Sequence, residues 1–137
     1  MAENDTTTVA SLVSLDSPIT IPDEVKARLK KNALMVIPDS GKKISLFPTP
    51  HDSVVRVSLE LRSKGLSPLF FNEIGRITKE ELNVSILYTT GLCFAEEKCI
   101  WDGFFEDKSK FENIDEITQK FKNIEGVNTV NIQIINL

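Results

Sequence analysis

Val55, Val57, Leu59 and Leu61 alternate with Arg56, Ser58, Glu60 and Arg62. A period of two with one apolar side predicts a half-buried strand. Ser63 to Pro68 follows as a loop containing Gly65. Phe70, Ile74 and Ile77 then fall at helical spacing and predict a helix over 68–82. Ser67 is the natural N-cap, and Pro68 suits the first helical position because it has no N–H to lose there. Val84 to Leu92 and Lys98 to Glu106 read as two further strands. Asp107 to Asn113 is polar. Ile114, Ile117, Phe121 and Ile124 form an apolar stripe with a helical period, which Gly126 can cap. Val130, Ile132 and Ile134 alternate with Asn131 and Gln133 as a last strand. The order βαββαβ over 53–137 is the split βαβ, ferredoxin-like unit. Right-handed crossovers place both helices on one face of a four-stranded antiparallel sheet. The other face then has no cover from this chain. Trp101, Phe104 and Phe105 supply aromatics to both faces, because successive strand residues point opposite ways.

Ala95-Glu96-Glu97 is the only polar connection between the two central β-rich runs. A three-residue loop centred on Glu96 sets Phe94 opposite Lys98, Cys93 opposite Cys99, Gly91 opposite Trp101 and Tyr88 opposite Phe104. Gly91 then offers space for the Trp101 ring, and Tyr88 with Phe104 makes an aromatic cross-strand pair. The two cysteines come within about 4.5–5.5 Å at Cα. They are either a redox pair or two small hydrophobes. In a cytosolic chain the expectation is adjacent free thiols that an oxidant could link.

The first third of the chain reads differently. Residues 1–8 are polar and aperiodic, and are expected to be a disordered tail. Ile19-Thr20-Ile21 is a short β-branched run ended by Pro22. Asp23 and Glu24 suit the first turn of a helix, and Lys26, Arg28, Lys30 and Lys31 its C-terminal end. Val25 and Leu29 give it one narrow stripe, so a helix is predicted over 23–31. Leu34 to Ile37, the turn Pro38-Asp39-Ser40-Gly41 and Lys42 to Phe47 make a hairpin. Pro48, Pro50, His51 and Asp52 interrupt the pattern and mark the expected domain boundary. The predicted organisation is a tail over 1–8, a βαββ module over 9–49 and a second domain over 53–137. The fold class is α+β.

Charge narrows the function. Lys plus Arg number 16 and Asp plus Glu number 20, for a net charge of −4. A strongly basic nucleic-acid footprint is absent. No run approaches the ~20 apolar residues that span a bilayer, and no secretory leader pattern opens the chain. The expected setting is the cytoplasm. Two Cys and one His leave no disulfide scaffold or zinc-ligand spacing, so no metal or cofactor is expected. No phosphate-binding loop or dinucleotide turn occurs, and the single His51 lies in a loop. These features argue against an enzyme.

Two resemblances carry the functional expectation. Val54-Val55-Arg56-Val57-Ser58-Leu59-Glu60-Leu61, the loop Ser63-Lys64-Gly65-Leu66-Ser67-Pro68-Leu69 and the ending Ile124-Glu125-Gly126-Val127 resemble the ACT domain family of small-molecule sensors. The end of the chain is also similar to the ligand-sensing domain of the Lrp/AsnC regulators. The resemblance implies a small effector, such as an amino acid, bound at Ser63, Lys64, Gly65, Leu66 and Ser67. The bland alternative for that loop is a well-capped helix start. Ser17-Pro18-Ile19-Thr20-Ile21-Pro22-Asp23-Glu24-Val25, Leu29 and the hairpin Met35 to Phe47 resemble an AbrB-type swapped-hairpin domain. That implies an interlocked dimer with DNA contacts from Lys26, Arg28, Lys30, Lys31, Lys42 and Lys43. Residues 1–52 hold six bases against seven acids, so phosphate contact would rest on those six. A module of ~40 residues buries too little to stand alone, which predicts a homodimer or higher even oligomer. Together these features suggest a dimeric, small-molecule-responsive transcriptional regulator. The alternative is an ACT-type regulatory or assembly subunit of a metabolic enzyme that does not touch DNA.

Overall fold

The computed structural model describes residues 8–29, 31–38, 41–62, 64–94 and 98–137. The chain divides into two compact units, 1–30 and 31–137. It is of mixed α+β class, with two antiparallel sheets and few helices.

Among the described residues of the first unit the one helix is α1, Asp23–Lys26. Pro22 occupies the cap position, and its carbonyl accepts from Val25 N and Lys26 N at 3.0 and 2.9 Å. Asp23 and Glu24 lie in the first turn, as the dipole favours. The helix stops well short of the expected residue 31. None of its residues is buried, and a short helix without a packed face has little to offset its nucleation cost. Ile19-Thr20-Ile21 is not a strand. The first β element of the expected βαββ module is therefore absent among the described residues. The tail over 1–7 and Lys30 lie outside them.

The second unit opens with a hairpin. Strands β1 (Asn32–Val36) and β2 (Ser45–Thr49) pair antiparallel, with Leu34 opposite Phe47. Gly41 takes φ +67° and its N–H donates to Pro38 O at 2.8 Å, so the turn needs a residue that tolerates the left-handed region. Asp39 and Ser40 of that turn lie outside the described residues. The break at Pro48–Asp52, expected as a domain boundary, falls inside this unit.

The main sheet has the order β4-β5-β3-β6, with every neighbour antiparallel. Its strands are β3 (Ser53–Arg62), β4 (Ile86–Phe94), β5 (Lys98–Glu106) and β6 (Val127–Asn136). Helix α2 (Pro68–Gly75) runs on into π-helical turns over Arg76–Glu81, and α3 spans Ile114–Lys122. Thr78 is fully buried in the π segment, and its hydroxyl donates to Ile74 O at 2.8 Å. The polar stretch 107–113 contains a 3-10 turn, Lys108–Phe111, that buries Phe111 against Phe105 at 5.7 Å.

One core lies between the sheet and the helices. Val55, Val57, Leu59 and Leu61 of β3 and Cys99, Trp101 and Phe105 of β5 meet Phe70, Ile74 and Ile77 of the α2 segment and Ile117 and Phe121 of α3. A second core lies on the opposite face. There Val54 and Phe104 pack with Leu34, flanked by Val36, Phe47, Tyr88 and Ile135. The chain thus covers part of the face that the pattern leaves bare, using its own hairpin. Beyond the hairpin that face mixes a polar cluster with Ile100 and the exposed Leu92 and Phe94. Asp102 accepts from Arg56 Nε at 3.2 Å and from the Ser58 hydroxyl, and Lys98 lies 3.8 Å from Glu60.

The register between β4 and β5 is the one expected. Phe94 faces Lys98, Cys93 faces Cys99, Gly91 faces Trp101 and Tyr88 faces Phe104, with an irregularity at Ile86/Tyr88. Ala95-Glu96-Glu97 lies outside the described residues. Two details differ. Trp101 lies over Gly103 of its own strand, where a Cβ would sit 2.4 Å from Trp101 Cη2, while Leu66 fills the space over Gly91. The cysteines, expected as free thiols, form a disulfide with Cα atoms 3.9 Å apart. Directly opposite cross-strand positions put the two sulfurs within bonding reach.

A charge network ties the π segment to α3. Glu81 pairs with Arg76 and accepts from Lys120 Nζ at 2.6 Å, and Arg76 Nη2 lies 2.9 Å from Glu73. The Lys120 hydrogen bond, then the charges of Lys120 and Arg76, hold the Glu81 carboxyl below its ordinary value. The Arg76 hydrogen bond does the same for Glu73. A carboxyl depressed in the folded state stabilises at pH above its unfolded value and loses that contribution as pH falls through the folded one. Urea midpoints are therefore expected to drop below about pH 4, near the ordinary carboxylate pKa. Glu81→Gln should flatten part of that drop. These groups are solvent-exposed, so salt should shrink the effect.

Candidate functional site

The end of the sheet where β3 leaves for α2 holds an open cleft of about 190 Å³. Its walls come from two connections that converge there. From β3 and the following loop come Arg62, Lys64, Gly65, Ser67 and Leu69; from the turn after α3 come Glu125 and Gly126.

Local sequence explains the approach of these segments. A Cβ on Gly65 would stand 2.7 Å from Leu61 Cβ and 2.8 Å from Arg62 O, so only glycine lets the loop lie against β3. Gly126 takes φ +93°, and a Cβ there would be 3.7 Å from Gly65 Cα. Gly126 O accepts from Arg62 N at 3.0 Å. Beside it the β3–β6 ladder shifts register between Glu60 and Leu61, which bends the strand ends at the cleft. Lys64 takes φ +63°. Ser67 caps α2, its hydroxyl accepting from Phe70 N at 3.2 Å.

The cleft carries one exposed ion pair. Arg62 Nη2 and Glu125 Oε1 are 3.1 Å apart, and both side chains are more than half exposed. Such a pair contributes little to stability and can trade its partner at low cost. The first turn of α2 adds a positive dipole end. The arrangement can hold a zwitterion, with a carboxylate toward Arg62 and the α2 start and an ammonium toward Glu125.

Of the five loop residues expected to bind ligand, Lys64, Gly65 and Ser67 line the cleft. Leu66 is turned away onto Gly91, where a Cβ would lie 3.1 Å from Leu66 Cδ1. Ser63 lies outside the described residues. Arg62, Glu125 and Gly126 complete the site. Their signals in the sequence are a charged residue at each end of the converging segments and a glycine just after α3.

Of the six bases expected to touch DNA, the five described ones are not gathered on one element. Lys26 ends α1 and Arg28 follows it, with Arg28 Nε donating to Glu24 O at 3.1 Å. Lys31 directly precedes β1, and Lys42 and Lys43 precede β2. Lys30 lies outside the described residues.

A second polar cluster sits where β2 turns into β3. Thr49 is buried, and its hydroxyl donates to Glu106 Oε2 at 2.7 Å and accepts from His51 N at 3.2 Å. His51 Nε2 lies 3.7 Å from the same carboxylate oxygen. Asn32 Nδ2 donates to His51 O at 2.9 Å. The cluster fixes the corner between hairpin and sheet, and the adjoining void is only about 60 Å³. Among the described residues no group of three or more His, Cys, Asp or Glu could hold a metal ion. Among them, too, no helix is long and apolar enough to cross a membrane. No protein-family model matches this chain, and no curated protein matches it.

Proposed function

We propose that this protein is a small-molecule-responsive regulatory module of ACT type, built on a ferredoxin-like βαββαβ unit, which acts by binding rather than by covalent chemistry. The fold part of this reading rests on the strand order β4-β5-β3-β6 with both helices packed on one face of the sheet. The functional part rests on one observation: the cleft in which the exposed Arg62–Glu125 ion pair lies beside Gly65 and Gly126 at the capped start of α2. A free α-amino acid presents the two charges that this pair would exchange for.

Self-association belongs to the same reading. The outer side of the hairpin exposes Met35 at 58%, Ile37 and Ile44 at 52% each and Leu46 at 45%, a cluster of large apolar side chains that a second copy would cover. The non-DNA form of the regulator is favoured over the swapped-hairpin form. An interlocked N-terminal module needs its hairpin for a partner hairpin, whereas here Leu34 and Phe47 pack on Val54 and Phe104 of the same chain.

The test is a thermal-shift panel of the free L-amino acids, each at millimolar concentration, with sedimentation of the responsive samples. At least one is expected to raise Tm by several degrees, as a ligand at 100 times its Kd adds about 2.7 kcal/mol. Arg62→Ala and Glu125→Ala should each abolish the shift while leaving the unliganded Tm within a degree or two. A panel with no response would reject the effector class. A response unchanged in both variants would move the site elsewhere.

A further inference from the structure

The disulfide has a placement that a simple staple does not require. It joins residues six apart in sequence, on strands already laddered to one another. Closing so short a loop removes less freedom from the unfolded chain than a long-range link would, so stabilisation alone does not explain its place. Its two halves are unequal: Cys99 is buried at 1% exposure, and Cys93 is exposed on β4, an edge strand. The exposed residue offers the side from which a thiolate can approach, and the sulfur of the buried residue is the one that leaves into the core.

The bond also lies in a significant row of the sheet. Cys93 faces Cys99, Cys99 faces Leu61, and Leu61 faces Val127. Leu61 is the side chain on which Gly65 rests, and Leu66 lies against Gly91, two residues before Cys93. The loop 64–67 therefore sits on the strands that the disulfide clasps.

We propose that Cys93–Cys99 is a reversible redox site, opened at the Cys93 sulfur by a dithiol protein, and that opening it loosens the sheet end beneath the 64–67 loop. A thiolate of the dithiol protein attacks Cys93 Sγ and forms a mixed disulfide. The Cys93–Cys99 bond breaks, and Cys99 leaves with the electron pair and takes a proton. The second thiol of the reductant loses its proton and attacks its own sulfur in the mixed disulfide, and Cys93 departs as a thiol. Two electrons and two protons pass to the cystine, and the reductant ends as its disulfide. With the bond gone, the end of β4 is held by its ladder to β5 alone, and Leu66 loses a fixed floor. The redox site itself does not rest on the function proposed above.

The experiment treats the full-length oxidised protein with a thioredoxin-type dithiol protein whose second cysteine is replaced by serine, and maps the trapped adduct by mass spectrometry. The adduct is expected on Cys93. Amide exchange is then compared between the oxidised protein and the protein reduced by the intact dithiol protein. Gly65 N–H and Ser67 N–H, which donate to Arg62 O and Gly65 O at 2.9 Å each, should exchange at least tenfold faster after reduction, together with those of residues 92–94. Reoxidation should restore the slow rates. The double variant Cys93→Ser/Cys99→Ala should show the fast rates and no response; if it does not fold, the reduced wild-type protein supplies the same measurement. An adduct on Cys99, no adduct under native conditions, or unchanged exchange after complete reduction would overturn the proposal. Since exchange is read without ligand, failure of the redox site and failure of the amino-acid panel are separate results.

Discussion

Phe104→Ala is expected to lower the unfolding free energy by about 3–5 kcal/mol, the usual cost of emptying a buried aromatic site. Phe104 lies on the sheet face away from the helices, where an uncovered sheet would leave it in water. It is instead 6% exposed, closed in by Leu34 and Val54 and stacked on Tyr88 with ring centroids 6.2 Å apart. Tyr88 in turn stacks on Phe47 of the hairpin at 4.6 Å, and the Arg56 guanidinium stands 5.5 Å from the Phe104 ring centre. Truncation would remove the centre of this second core, and the surrounding strands are too firmly laddered to close the gap. Leu34→Ala should cost about 2–5 kcal/mol, and the double variant should cost less than the sum, with a coupling of about 0.5–3 kcal/mol. Urea unfolding followed by far-UV circular dichroism measures all three. A small cost for Phe104→Ala with additive behaviour would mean that the hairpin does not pack on the sheet.

Gly103→Val carries the second large effect. Gly103 faces the helix-side core between Trp101 and Phe105, both buried. A Cβ there would meet Trp101 Cη2 at 2.4 Å and Phe105 Cε2 at 2.9 Å, ring atoms with no room to retreat. Overpacking of this kind costs roughly 1–3 kcal/mol, and valine should cost more than alanine. Trp101 is the only tryptophan, so its emission reports directly on the displaced ring. Gly75→Ala is the matched control. Gly75 ends α2 with nothing within 4 Å of the added carbon, and that change should be neutral or stabilise by up to about 1 kcal/mol.

The contrast between these two faces explains what could be read from the chain. β5 has the expected limits, 98–106, and β3 covers the alternating run 55–62 and begins two residues earlier, at Ser53. The β4–β5 pairing follows from the one polar tripeptide between them. Strong local period and a short connection leave few alternatives, so these features are legible. The second core is not. Leu34, Met35, Val36 and Ile37 are all apolar, so nothing in β1 says which side faces inward; Leu34 is buried and Met35 exposed only because the hairpin folds back on Phe104. The charge pattern before residue 32 suggests a longer helix than α1, because propensity without packing does not hold a chain in place. Phe111 is a lone aromatic among polar neighbours, with no periodicity to mark it as core.

The candidate site divides in the same way. Lys64, Gly65 and Ser67 follow one another and carry recognisable turn and cap chemistry, so that half is visible. Glu125 and Gly126 lie some sixty residues later. Only the β3–β6 pairing and its register shift bring them opposite Arg62, and an irregularity in a ladder leaves no mark in a single sequence. The direction of Leu66 is equally non-local, since Gly91 on β4 provides the space it fills.

The amide spectrum of the oxidised protein, titrated with the amino acid that gives the largest thermal shift, tests the proposed binding site most directly. Saturable shifts are expected at Gly65, Ser67, Phe70 and Gly126, and they should be lost in Arg62→Ala. Shifts confined to residues around Thr49 and His51, or no saturable shift at any of these four residues, would contradict the proposal that this protein is a sensor binding its effector at the start of α2.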